Sequence, residues 1–278
     1  MAGINEVDGD EWQSDRLDLA AYLARIGEGG GPPTTATLDR LHRAHVASVP
    51  FENFDLVLGR EIRVDIDGVA RKLVHGRRGG YCYEHGVLFA AALEQLGFRV
   101  RRLLARVGHH PERPRARTHM TLHVRADDGE RLADVGFGSG LLAPLPWDGD
   151  EHPQDGWAYR LVTLEDGARG LQERGTGDWS TLYGFSPEPQ HASDVVMANY
   201  FTSTHPSSPF VGRPVAMRRL PDQRIRLLGR TLQTSSPDGT EKQRAITDDE
   251  LPGLLADTFA IPLSDAELAT LVRRLPSE

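Results

Sequence analysis

The sequence predicts an α+β protein built from three consecutive blocks, and the main observation is a change of hydrophobic period. Up to Gly97 the apolar residues recur at the three- and four-residue spacing of amphipathic helices. From Arg99 onward they alternate loosely, as in half-buried strands, and the tail mixes both patterns. We therefore expect a helical domain over residues 1–97, a β-rich domain over 98–205 and a C-terminal α/β lid over 206–278.

Several segments before Gly97 have the apolar spacing of a helix. The last is the strongest prediction, because Gly97 follows it as a C-terminal stop. Pro50 ends an earlier one, since proline cannot continue a helix. The predicted helices cover residues 15–26, 35–49 and 83–96, with a short helix or turn over 66–73.

The β-rich block begins with a predicted strand, Arg99–Val107, followed by a hairpin. The two hairpin strands, 120–125 and 130–135, flank Ala126-Asp127-Asp128-Gly129, which is typical of a tight turn. In the tail, Ser264 and Glu267 have the spacing of a capping box. The other predicted elements are strands over 157–164, 170–174 and 224–233 and helices over 248–259 and 264–274.

Composition excludes several classes of partner. The 32 Lys and Arg against 40 Asp and Glu give a net charge of −8, so nucleic acid is not expected to bind. No run approaches the roughly 18 apolar residues of a membrane span. The acidic N-terminus has no apolar stretch, so we expect no signal peptide, and we expect no membrane partner. A single cysteine allows no internal disulfide, which suits a reducing cytoplasm.

Cys82, the single cysteine, stands just before the strongest predicted helix, after Gly79 and Gly80. The free N–H groups and the positive dipole end of a helix N-terminus stabilise a thiolate there. This position predicts a nucleophile. The alternative is a small buried apolar residue, the commonest role of a free cysteine.

A thiol nucleophile needs a base and a carboxylate that orients the base. The hairpin offers His119 and His123 on one face of its first strand and Asp134 after the second. A tight turn at Asp128-Gly129 would place His123 opposite Asp134, so local register favours His123, although a bulge or longer turn would shift the pairing. Taken singly, either histidine is more often an ordinary strand residue that faces solvent.

Five motifs in order are similar to those of the arylamine N-acetyltransferase family. The most specific is Arg78-Gly79-Gly80-Tyr81-Cys82-Tyr83-Glu84, and the resemblance extends from about residue 19 to about residue 210. The other four are Val49-Pro50-Phe51-Glu52-Asn53, Thr118-His119, Asp134-Val135-Gly136-Phe137-Gly138 and Ser203-Thr204-His205-Pro206-Ser207-Ser208-Pro209-Phe210.

The resemblance implies an N-terminal helical bundle, a central β-barrel-like domain and a C-terminal α/β lid around a cysteine-protease-like core. It assigns Cys82 as the nucleophile, His119 as the base and Asp134 as the orienting carboxylate, and so overrides the register argument for His123. One position departs from the family pattern: Gly86 stands where the family usually has asparagine.

The resemblance also implies ping-pong acetyl transfer from acetyl-CoA to an arylamine or arylhydrazine, without a metal. It places Phe51, Tyr83 and Phe137 in the cleft that binds the aromatic acceptor. It places Gly136, Ser207 and Phe210 near CoA. The CoA phosphates would rest on arginines between residues 99 and 117, although a solvated basic face explains these arginines as well.

Two further features of the motif have structural explanations. Glu84, in the first helical turn, is expected to cap the helix and to pair with an arginine such as Arg78. Gly79 and Gly80 are expected to allow a tight turn with positive φ.

Three other functions remain open at this point. Amide synthases that release ansamycin polyketides resemble the same family, and their acyl donor is an acyl carrier protein. Thiol hydrolases share the Cys-His-Asp order, but the Arg-Gly-Gly-x-Cys-x-Glu motif argues against them. The third alternative is a binding protein without activity, which an intact triad disfavours.

Overall fold

The computed structural model describes residues 11–108, 110 and 112–275. The α+β class is confirmed, with a helical N-terminal part followed by two antiparallel sheets. No helix in the described part of the chain is long and apolar enough to cross a membrane. The N-terminal elements are α1 (Leu19–Ile26), α2 (Thr35–Ser48), β1 (Phe51–Glu52), α3 (Phe54–Val57), α4 (Ile66–Val69), a π-helical turn (Ala70–His75) and α5 (Cys82–Gln95).

The larger sheet has eight strands and nearly closes into a barrel, because β5 at one edge packs beside β7 near the other. Its order is β5-β4-β3-β2-β9-β8-β7-β6. The strands are β2 (Arg99–Val107), β3 (His119–Ala126), β4 (Gly129–Ala133), β5 (Leu145–Pro146), β6 (His152–Gln154), β7 (Trp157–Thr163), β8 (Arg169–Arg174) and β9 (Ser180–Phe185). Helix α5 packs on β2 and β3, which brings its N-terminus to the start of β3.

The C-terminal part builds a second sheet in the order β1-β10-β11-β12-β13. Its edge strand β1 comes from the N-terminal part, so Phe51 lies beside the C-terminal strands. The elements are α6 (Ala192–Thr204), β10 (Val215–Arg219), β11 (Arg224–Leu228), β12 (Thr231–Ser235), β13 (Glu241–Ala245), α7 (Leu251–Gly253), a π-helical turn (Leu254–Thr258) and α8 (Asp265–Arg274).

The tail differs from the sequence prediction in two places. The strand expected over 224–233 is two strands, because the chain turns at Gly229 with a φ of 61°. The helix expected over 248–259 is only α7 and a π-helical turn. Helix α8 is confirmed, and Ser264 and Glu267 cap it reciprocally.

The register of the β3–β4 hairpin differs from the expected one by two residues. Ala126 pairs with Gly129, so the turn residues are Asp127 and Asp128, not Asp128 and Gly129. His123 consequently lies opposite Leu132 instead of Asp134. The same register, continued past the end of β4, places Asp134 opposite Thr121 and diagonal to His119.

Candidate active site

The N-terminus of α5 holds Cys82 in a closely packed setting. Cys82 is the first residue of the helix and is only 3% exposed. Neither Gly79 nor Gly80 has a positive φ, so the expected reason for the glycine pair is wrong. A Cβ at Gly79 would lie 2.1 Å from the Pro50 carbonyl oxygen, and one at Gly80 would lie 2.7 Å from Glu84 Oε2. The glycines therefore allow close approach to neighbouring groups.

Glu84 fixes the start of this helix. Its Oε2 accepts the backbone N–H of Tyr81 at 3.0 Å, and its Oε1 lies 2.8 Å from Lys72 Nζ. The expected partner Arg78 pairs with the buried Glu52 instead, with Nη2 2.8 Å from Oε1. Glu84 therefore caps the helix and pairs with a lysine.

His119 and Asp134 form a direct hydrogen-bonded pair. His119 Nε2 lies 2.7 Å from Asp134 Oδ2, and both side chains are buried. Asp134 Oδ1 accepts the backbone N–H of Gly136 at 3.0 Å, which fixes the carboxylate. Cys82 Sγ lies 3.6 Å from the carbonyl oxygen of Thr118, the residue before His119, and Cys82 and His119 line the same cavity.

The groups around His119 favour a charged imidazole. Burial alone lowers the pKa of His119, but the charge and hydrogen bond of Asp134, with the hydrogen bond and charge of Cys82, raise the pKa to about 10. Burial tends to raise the pKa of Asp134, yet the charge and hydrogen bond of His119 hold it below its usual value. An ionised Asp134 and a protonated His119 are what a Cys82 thiolate requires.

His123, the histidine that local register favoured, has different neighbours. Its Nε2 lies 2.7 Å from Glu130 Oε2, and its ring stacks on Trp147 with centroids 4.1 Å apart. The structure thus brings His119, and not His123, to Asp134. The cause is the shifted hairpin turn, which moves the partner of Asp134 along β3.

A cavity of about 560 Å³ opens onto the sulfur and the imidazole. Five of the residues expected to bind substrates line it together with Cys82 and His119: Phe51, Gly136, Phe137, Ser207 and Phe210. Tyr83 does not, which corrects the expectation for that residue. Its side chain is fully buried and its hydroxyl lies 3.1 Å from Thr202 Oγ1, so it belongs to the core.

The part of the chain that forms this cavity matches a known protein family. A family model described as N-acetyltransferase matches residues 34–268. An arylamine N-acetyltransferase of Mycolicibacterium smegmatis is 36% identical over 90% of this chain and 94% of that protein. The chain belongs to the arylamine N-acetyltransferase family.

Solved structures of arylamine N-acetyltransferases share the whole fold. The Nocardia farcinica structure has a TM-score of 0.87 at 43% identity and covers 94% of this chain and 95% of that one. The Mycobacterium marinum structure, in complex with CoA, has a TM-score of 0.86 at 35% identity and covers 93% of this chain and 98% of that one. The predicted family membership is therefore confirmed.

Gly86, the departure from the usual arylamine N-acetyltransferase pattern, is tightly packed. A Cβ here would lie 2.8 Å from the Sδ atom of Met120 on β3. Met120 is itself buried. The missing side chain at position 86 therefore leaves the space that Met120 occupies.

Sequence reasoning missed several residues of the site. Tyr183 on β9 is one: its ring lies 4.8 Å from that of His119, its hydroxyl lies 3.2 Å from Thr121 Oγ1, and it helps to hold the pKa of Asp134 below its usual value. Three more line the cavity from distant elements: Phe201, Met217 and Arg226. None belongs to a motif, so only the fold reveals them. Among the described residues no group of three or more His, Cys, Asp or Glu side chains could hold a metal ion.

Proposed function

We propose that this enzyme transfers the acetyl group of acetyl-CoA to the nitrogen of an arylamine or arylhydrazine, through an acetyl thioester on Cys82. The observation that supports this most is the hydrogen-bonded pair of His119 and Asp134, with Cys82 beside His119 in the wall of the same apolar cavity. Family membership supports the same reaction class. The single cysteine must stay reduced for this chemistry, so we infer that the enzyme works in the cytoplasm.

The first half-reaction loads the cysteine. The Cys82 thiolate attacks the thioester carbonyl carbon, and collapse of the tetrahedral intermediate breaks the bond between that carbon and the CoA sulfur. His119, protonated in the resting pair, donates its proton to the departing CoA sulfur. A thioester replaces a thioester, so the step needs little driving force.

The second half-reaction transfers the acetyl group from Cys82 to the amine. The amine nitrogen attacks the acetyl carbon on Cys82, and neutral His119 accepts a proton from that nitrogen. The new C–N bond remains when the C–S bond breaks, and the resulting thiolate pairs again with the imidazolium. Asp134 receives the Nε2–H of His119, so the other ring nitrogen, Nδ1, is the one that exchanges the proton with sulfur and substrate.

The cavity suits an aromatic acceptor. Phe51, Phe137 and Phe210 supply apolar ring surface beside the sulfur, and aromatic faces bind a flat ring by offset or edge-on packing. Gly136 and Ser207 lie on the same cavity, where we expect the pantetheine of CoA to pass.

The phosphates of CoA are negatively charged and need cations, which we expect outside the apolar surface beside the sulfur. A second pocket of about 320 Å³ shares Val107 and Arg115 with the cavity. Arg106 and Arg117 also line it. The three guanidinium groups of this second pocket provide the positive charge that phosphates require.

Steady-state kinetics test the proposal. With acetyl-CoA and an arylamine or arylhydrazine, release of free CoA should follow ping-pong kinetics, seen as parallel lines in double-reciprocal plots. Cys82→Ala should abolish it. A long-chain carrier-protein thioester belongs in the same assay, because turnover with that donor alone would contradict acetyl-CoA as the donor.

A further inference from the structure

Asn53 is a buried residue whose side-chain amide hydrogen-bonds the backbone of one distant segment. It directly follows β1 and has no exposed surface. Its Nδ2 donates to the carbonyl oxygens of Phe210 at 2.9 Å and Arg213 at 2.8 Å, and its Oδ1 accepts the backbone N–H of Val215 at 2.7 Å. An asparagine amide has two N–H donors and one carbonyl oxygen, so every polar atom of this side chain is engaged.

The segment that Asn53 binds is the loop between α6 and β10, residues 205–214. This loop contains no helix or strand, so no ladder of hydrogen bonds fixes its path. Four of its consecutive residues, 207–210, line the catalytic cavity. Ser208 attaches the first part of the loop to α6, because its Oγ donates to the Thr202 carbonyl at 2.5 Å. Asn53 attaches the remaining part to the N-terminal domain.

The amide of Asn53 connects two aromatic residues of the cavity wall. Phe51 precedes it by two residues in the chain, and Phe210 is one of the loop residues whose carbonyl it binds. Both rings line the cavity, and their centroids lie 5.8 Å apart. Asn53 therefore fixes the backbone that carries the second ring relative to the strand that carries the first.

We propose that Asn53 is a positioning residue, which holds Phe210 in the cavity wall so that both substrates can bind beside Cys82. Without the amide, two carbonyls and one N–H of the loop lose their partner, and the loop must move to find others. A displacement of about 1 Å at a substrate-positioning group can cost about 10²-fold in rate. The thiol itself should keep its reactivity, because Asn53 hydrogen-bonds neither His119 nor Asp134. This inference rests on the proposed acetyl transfer.

Protection of Cys82 against iodoacetamide tests the proposal without turnover. The alkylation rate without ligand reports the thiol, and the concentration of aniline or desulfo-CoA, which lacks a thiol, that halves this rate reports binding. For Asn53→Ala we expect an unchanged rate without ligand and a half-protecting concentration about 10- to 100-fold higher, the loss of one or two buried hydrogen bonds. Asn53→Asp keeps the size of the side chain but not the amide donors. It should show the same rise, and it tests the proposal if Asn53→Ala does not fold.

Gln154→Ala is the matched control. Gln154 is also a buried amide with three bonds to a loop: its Oε1 accepts the N–H groups of Leu142 and Ala143, and its Nε2 donates to the Ala143 carbonyl. It does not line the cavity, so its loss should leave the half-protecting concentration unchanged. Phe210→Ala should weaken protection as Asn53→Ala does. The two together should weaken it little further, because both act on the same ring.

Four results would overturn the proposal. An unchanged half-protecting concentration in Asn53→Ala, or an equal rise in Gln154→Ala, would mean that Asn53 contributes only to stability. Slower alkylation of Asn53→Ala without ligand would place its effect on the thiol. Additive effects of Asn53→Ala and Phe210→Ala would show that Asn53 does not act through Phe210. If the wild type does not turn over acetyl-CoA, the proposed acetyl transfer fails, and the protection assay still decides the role of Asn53.

Discussion

Replacing His42 should lower the free energy of unfolding more at pH 7 than at pH 5. His42 on α2 is fully buried and bonds at both ring nitrogens. Its Nε2 accepts the backbone N–H of Asp134 at 3.1 Å, and its Nδ1 lies 3.0 Å from the Leu142 carbonyl oxygen, to which it donates. The neutral tautomer satisfies both contacts, and it anchors the backbone of the residue that orients His119.

The magnitude follows from the pKa of His42. Burial lowers it from 6.5 to about 4, although the Leu142 carbonyl and Asp134 raise it and Arg43 lowers it further. Because the folded pKa is depressed, the neutral ring contributes stability that is present above pH 6.5 and lost as the pH falls towards 4. Between pH 7 and pH 5 this single group removes about 2 kcal/mol from the free energy of unfolding.

His42→Gln removes the titration but keeps an amide in place of the ring. We expect it to lose about 1–3 kcal/mol of unfolding free energy at pH 7, since the Asp134 N–H or the Leu142 carbonyl loses its partner. At pH 5 the difference in unfolding free energy between the variant and wild type should be about 2 kcal/mol smaller than at pH 7. Urea unfolding followed by circular dichroism at both pH values measures this difference. His75→Gln, which replaces an exposed histidine, is the control. A gap of the same size at pH 7 and pH 5 would refute the reasoning.

Two further substitutions test the site and its packing. His119→Ala should reduce kcat/KM by about 10²–10⁴-fold, because the base is lost, whereas His123→Ala should retain most activity; the opposite ranking in the CoA-release assay would restore His123 as the base. Gly86→Asn should reduce the free energy of unfolding by about 1–3 kcal/mol through overpacking against Met120, which is measured as a lower melting temperature. When Met120→Ala is already present, Gly86→Asn should cost less stability than it does in the wild type. If the stability losses of the two substitutions are simply additive, the contact with Met120 is not the cause.

The sequence alone predicted the elements that depend on local pattern. Helix α5, predicted over 83–96 and observed as Cys82–Gln95, and strand β2 follow from apolar periodicity that the fold leaves intact. Helix α6 was missed because apolar residues lie all round it, with Val196, Met197 and Tyr200 exposed, so no helical stripe marks it. The division into blocks at 97/98 and 205/206 stays a prediction.

The partner of Asp134 shows where local reasoning fails. One turn residue decides the register of a hairpin, and the choice of Asp127-Asp128 over Asp128-Gly129 exchanged His123 for His119. The family motif carried the information that the turn did not. Tyr183 and Arg226 reach the site through strand pairings far apart in sequence, which neither periodicity nor motif could supply.

The central claim is that Cys82 carries the acetyl group between the two substrates. Intact-protein mass spectrometry after mixing with acetyl-CoA alone, followed by peptide mapping, tests it most directly. We predict a mass increase of one acetyl group on Cys82, absent in Cys82→Ala, that disappears when an arylamine is added and reappears as the N-acetyl product. An unmodified Cys82 under acetyl-CoA, or an acetyl group that the amine does not remove, would contradict the account.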